Sequence, residues 1–196
     1  MTDKNRNVFL VHHLTYSLMS KRFSSPRQAF YDRNGKLWPN MDENFFRDRE
    51  IKPIRQSGPH CVSTVLAMLT EQTPETFQGQ MNTQDPSSWS AVLQPYGMKL
   101  AYCPMDVRKL KFYMDELIAI DDLFTLSYYT SNDPSIILGD PNPTGWITGS
   151  HIVILHRDKI IDPASGTVTP ALEDVCNKYH TKRIFRVVPS DHARGL

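Results

Sequence analysis

Apolar positions along this chain change period several times, and each change predicts an element. Val62, Val65, Leu66 and Leu69 recur at the spacing of one helical face, with Ser63 and Thr64 turned elsewhere, so a helix begins at or just before Cys61. Thr73-Pro74 reads as an N-cap followed by proline in the first helical position, opening a second helix that carries Phe77. A third helical segment holds Trp89, Val92 and Leu93 and ends near Pro95 and Gly97. Residues 98–102 alternate as a short strand. Val107, Leu110, Met114 and Leu117 then mark another helix, with Asp106 as its cap.

The second half of the chain is richer in strand formers. Residues 124–130 carry aromatic and β-branched side chains and predict a strand. Ile136-Ile137-Leu138 is a short apolar run, and residues 139–149, with Pro141, Pro143 and Gly145, form a loop leading to His151. Residues 152–155, a polar turn and Ile160-Ile161 make a β-hairpin pattern. A turn at Ala164-Ser165-Gly166, a helix with Leu172, Val175, Cys176 and Tyr179, and a last strand over 184–188 complete the chain. Helices early and strands late predict an α+β fold, a helical part packed on an antiparallel sheet.

Residues 1–50 differ in texture, being polar and punctuated by Ser24-Ser25-Pro26, Asn34-Gly35 and Pro39-Asn40, with a small hairpin-like turn expected at Asn34-Gly35. They are expected to form an N-terminal extension packed on a main domain of residues 51–196. A chain of 196 residues is long enough for one full hydrophobic core.

Composition narrows the classes. No apolar stretch approaches the roughly 20 residues that cross a bilayer, and no secretory signal is recognisable at the amino terminus. A formal net charge of +1, with acids and bases mixed along the chain, gives no footprint for nucleic acid or an anionic membrane. Cys61, Cys103 and Cys176 are odd in number, far apart and without a Cys-x-x-Cys pair. The expectation is free thiols in a reducing, cytoplasmic setting, with no disulfide scaffold and no zinc site. His12-His13 and His60-Cys61 are neighbours too close in sequence to chelate one ion well.

The chemistry concentrates on Cys61, in Gln56-Ser57-Gly58-Pro59-His60-Cys61. A cysteine in the first turn of a helix faces unsatisfied backbone N–H groups that favour its thiolate, the nucleophilic form. A hairpin turn centred between His156 and Arg157 would set His151 directly opposite Asp162, where imidazole and carboxylate can bond and leave the other ring nitrogen for the thiol. Gln56 offers an amide N–H to an oxyanion formed on attack, beside the backbone N–H of Cys61. Taken singly, a helix-start cysteine, a strand-end histidine and an Asp-Pro turn former are ordinary structural residues. Together they make a nucleophile, base, orienting acid and oxyanion donor in a usable order.

In these residues the chain resembles the papain-like cysteine peptidase superfamily, and within it the branch of bacteriocin-leader peptidases and related bacterial domains. Those have a glutamine, four residues, then a cysteine opening a helix, later a histidine leading a strand, and Asp-Pro at the end of the next strand; Gln56, Cys61, His151 and Asp162-Pro163 match, over about residues 51–188. The resemblance implies a papain-like fold, with the cysteine on a helical half and the histidine and aspartate on a sheet half. It also implies a peptide or protein substrate and no metal or organic cofactor. Val62 stands where many members place glycine. Hydrolysis, acyl transfer, transglutamination and glutamine deamidation all use such a triad, because a thioester can be resolved by water or by an amine. A non-catalytic binding module of the same fold is the alternative outside enzymes.

Overall fold

Among the described residues, six antiparallel strands form one sheet in the order β1-β6-β2-β3-β4-β5: β1 is Met98–Tyr102, β2 Leu123–Tyr129, β3 Ser150–His156, β4 Lys159–Asp162, β5 Thr167–Pro170 and β6 Thr181–Pro189. The computed structural model describes residues 36–131 and 149–196. The chain divides into Met1–Lys36 and a unit of Leu37–Leu196, and all four candidate site residues lie in the latter. Among the described residues no helix is long and apolar enough to cross a membrane. Asn34-Gly35, Ile136 to Leu138 and residues 139–148 lie outside the described residues.

Strand alternation gives the sheet two apolar faces, and helices cover both, rather than a helical part lying against one side. Leu123, Ile152, Ile154, Ile161, Phe185 and Val187 pack against α1 (Cys61–Thr70) and α2 (Pro86–Leu93) through Val65, Leu66, Leu69, Trp89 and Leu93. Phe124, Leu126, Tyr128, Val153, Leu155 and Ile184 pack against α3 (Lys111–Ile120) through Tyr113, Met114 and Leu117. The fold is α+β with a fully antiparallel sheet.

Helix α1 starts where the apolar period places it, but it is buried on every side from Val62 to Thr70. Ser63 and Thr64 do not turn to solvent. Thr64 and Thr70 donate their hydroxyls to the carbonyls of His60 and Leu66, at 2.9 and 2.8 Å, which makes them compatible with a dry environment. The expected helix at Pro74 is a single 3-10 turn, Pro74–Thr76. Helix α2 is started by Asp85, whose carboxylate accepts the Ser87 N–H at 2.9 Å, with Pro86 in the first turn.

One helix expectation holds except at its start, and another fails, each for a local reason. Asp106 does not cap α3, which begins at Lys111. Its carboxylate instead accepts the Tyr113 hydroxyl and pairs with Arg108 at 2.6 Å, and Val107 is left 56% exposed. The helix expected around Leu172 is one 3-10 turn, Val175–Lys178, preceded by the unforeseen β5. The β-branched Thr167-Val168-Thr169 run extends the sheet beside β4. Leu172 is consequently 64% exposed.

Residues 37–50 are integral to the Leu37–Leu196 unit. Leu37 and Trp38 are fully buried. The Asp122 carboxylate accepts the backbone N–H groups of Phe45 and Phe46, at 3.1 and 2.8 Å, and pairs with Arg186 at 2.5 Å in a bridge that excludes solvent from both partners. The Arg186 guanidinium lies over the rings of Trp38 and Phe45, at 4.7 and 4.6 Å. One carboxylate thus ties the segment before residue 50 to the centre of the sheet.

Candidate active site

At one end of the sheet, Cys61, Gln56 and His151 line a common cleft of about 350 Å³, together with His60, Trp89, Ser127, Lys182 and Arg183. Cys61 is the first residue of α1, half-exposed, and the helix start carries neither a side-chain cap nor an acidic residue in its first turn. His60, Cys61 and Val62 at this start line the cleft, and a helix start without a side-chain cap favours an anion.

His151 Nε2 lies 2.7 Å from Asp162 Oδ1. With Nε2 engaged, Nδ1 is the ring nitrogen left for the thiol, and Cys61 is among the neighbours that favour the charged ring. Burial, the largest influence, opposes the charged ring, but the bonds and negative charge supplied by Asp162 and Cys61 outweigh it and lift the His151 pKa to about 9. Burial likewise opposes ionisation of Asp162, and the bonds from His151 and the Ala164 N–H overcome it, holding the carboxyl below its ordinary range. Tyr128, opposite His151 in β2, meets the ring edge-on at a centroid distance of 5.7 Å and stacks on Tyr179. The imidazole is held on two sides.

The hairpin brings His151 and Asp162 together by a different register from the one expected. Its turn is Arg157-Asp158, with Arg157 at φ 58°, so His156 pairs with Lys159 and Ile154 with Ile161. His151 is not directly opposite Asp162. Continued, the observed register sets Asp162 opposite Val153, two positions from His151 on the same face. A shift of two preserves the face, and the diagonal is bridged by the two side chains.

Gln56 enters the cleft from the segment that precedes α1. Its backbone N–H donates to the Pro163 carbonyl at 2.7 Å, docking this segment on the turn that follows Asp162. Gly166, at φ +71°, makes that docking possible, since a Cβ there would fall 2.9 Å from Arg55 Cβ and 3.2 Å from its Cα. The Gln56 Nε2 donates to the Gly58 carbonyl at 2.9 Å. An amide NH₂ has two hydrogens, so one donor remains.

Cys103 and Cys176 are buried, and desolvation pushes both thiols up, Cys103 to about 12. They are core residues. Trp89, 2% exposed, packs in the core and also borders the cleft, with its Nε1 donating to the Asn82 carbonyl at 3.0 Å. His60 stands at the rim, and Trp146 lies outside the described residues.

Lys182 and Arg183 carried no signal in the sequence pattern. They precede a strand-forming run and look like solvated flank residues. Lys182 Nζ donates to Ser150 Oγ at 3.1 Å, and desolvation by burial pulls its pKa down to about 8. Only the pairing of β6 with β2 brings them to the cleft. Among protein-family models, curated proteins and solved structures, none matches this chain.

Proposed function

We propose that the protein is a papain-like thiol hydrolase that cleaves a peptide or amide bond through Cys61, His151 and Asp162. The observation that carries this reading is His151 bonded to Asp162 at 2.7 Å in the same cleft as Cys61, which stands at an uncapped helix start. The Gln-Cys-His-Asp order resembling the papain-like superfamily, and the placement of Cys61 on a helix and of His151 and Asp162 on strands, agree with it.

The chemistry runs in two halves. The Cys61 thiolate attacks the carbonyl carbon, and the C=O electrons become an oxyanion that faces the Cys61 backbone N–H and the remaining Gln56 donor. As the oxyanion collapses, the C–N bond breaks and the leaving amine takes its proton from the His151 imidazolium, which leaves a thioester. His151, now neutral, accepts a proton from water as its oxygen attacks the thioester. Collapse of that second oxyanion expels the thiolate, restoring the Cys61–His151 ion pair and releasing the carboxylic acid product. Asp162 keeps Nε2 occupied throughout and so aims Nδ1 at sulfur.

The test uses p-nitrophenyl acetate, which needs no recognition beyond the thiol site. A burst of p-nitrophenol with acetyl mass on the Cys61 peptide, lost in Cys61→Ala and strongly slowed in His151→Ala, is the expected result. Acetylation that ignores His151→Ala, or that falls on other residues, overturns the reading.

A further inference from the structure

Neighbouring residues in a regular strand point to opposite faces, yet Lys182 and Arg183 both line the cleft. The pairing explains how. Ser127 pairs with Arg183 but Tyr128 pairs with Thr181, so Lys182 is the extra residue of a β-bulge. In unbroken alternation Lys182 would share the face of Ile184, on the α3 side. The bulge turns it to the other side, where its ammonium bonds Ser150, the residue before His151.

Two cations are thereby delivered to the cleft without a carboxylate to meet them. Among the described residues neither Lys182 nor Arg183 forms an ion pair with Asp or Glu. Lys182 uses one of its three N–H groups on Ser150 and rests over the Tyr129 ring at 5.8 Å. Arg183 gives one N–H to the Gln84 carbonyl at 3.1 Å and lies over Trp89 at 5.9 Å. Asp85 acts on it through space only, and that carboxylate caps α2 by accepting the Ser87 N–H. Burial and the neighbouring Arg183 charge both oppose the Lys182 ammonium, and Cys61, not a carboxylate, is the group that favours it. Such a group is suited to an anion that arrives with the substrate.

We propose that this pair is a specificity site for a carboxylate carried by the substrate close to the bond that Cys61 attacks. The proposal rests on the cysteine hydrolase reading. The carboxylate has two sources, an acidic side chain or a free chain terminus, and both fit a lysine ammonium beside an arginine fork.

The experiment measures protection of Cys61 from iodoacetamide, which reports occupancy of the cleft without requiring turnover. Blocked dipeptides are compared in two arms: Glu against Gln side chains with amidated termini, and free-acid against amidated termini with neutral side chains. In at least one arm the acid is expected to protect about tenfold better than its neutral partner, one decade being about 1.4 kcal/mol. That advantage should shrink at high salt, vanish in Lys182→Met and return in Lys182→Arg. The arm with the larger ratio names the source of the carboxylate. Equal protection by acid and neutral partners in both arms overturns the proposal, as does an advantage that survives Lys182→Met. A general slowing of labelling in Lys182→Met with unchanged acid-to-neutral ratios also overturns it, because the lysine would then serve the thiol alone. Failure of the hydrolase reading is seen separately, with p-nitrophenyl acetate, which carries no carboxylate.

Discussion

His151 Nε2 and Asp162 Oδ1 meet at 2.7 Å from strand positions that do not face one another, so their bond is a diagonal across the β3–β4 hairpin. A diagonal bond orients the imidazole only if both side chains are held. Tyr128 and the Ala164 N–H provide this, one against the ring and the other on the carboxylate.

Asp162→Asn should lower the rate of Cys61 acylation by up to about 10⁴-fold, the cost of losing the carboxylate that orients a triad histidine. Single-turnover kinetics with p-nitrophenyl acetate read it directly. The same variant should shift the NMR titration of His151 downward. An unchanged titration would mean that the bond does not govern the ring.

The pH dependence has a definite sign. The His151 pKa is raised from 6.5 to about 9, so its stabilising contribution is complete below about 6.5 and is lost as pH rises through about 9. Urea unfolding of the wild type should therefore show a loss of stability across that window that is reduced in His151→Ala. Cys61→Ala should bring the His151 midpoint down, because the thiol supplies part of the upward shift.

Iodoacetamide at mildly acidic pH should modify Cys61 alone in the native protein. Cys103 and Cys176 are sealed in the core and their thiols are raised. Peptide mapping after brief exposure checks this, with all three labelled in denaturant as the control. Similar slow labelling of the three native thiols would remove Cys61 from its role.

The helix of Cys61, most strands and the candidate residues that share the cleft were legible because each announces itself locally, through apolar period, an Asp-Pro turn or a polar residue beside a helix start. Register was less so. Placing the turn at Arg157-Asp158 requires Arg157 in a left-handed backbone, which no Asn-Gly signal marks. Thr167-Val168-Thr169 forms a strand only because β4 offers an edge, and Leu172 and Val175 mimic a helical face that the chain leaves exposed. The bulge at Lys182 was invisible for the same reason: it is a property of the pairing of two strands, not of either one.

Gly166→Ala should destabilise the fold by about 1–3 kcal/mol, from the left-handed backbone and the clash with Arg55. It should also impair acylation in the molecules that remain folded, since the Gln56 segment docks there. Denaturant titration beside single-turnover kinetics separates the two effects.

Asp122→Ala should cost about 3–5 kcal/mol, the range for breaking a buried ion pair and stranding its partner. Arg186 would lose its counter-charge, and Phe45 and Phe46 would lose the acceptor of their backbone N–H groups. Chemical denaturation measures it. A small effect would mean that water enters to solvate the guanidinium.

The docking of residues 55–56 on the 163–166 corner means that two parts of the proposed machinery share a single hinge of failure. One local opening there would free the glutamine and loosen the aspartate together, so the native ensemble should switch between armed and disarmed members instead of passing through half-equipped ones. Amide exchange at Gln56 and Gly166 would then proceed at a common rate, and activity would track that shared opening.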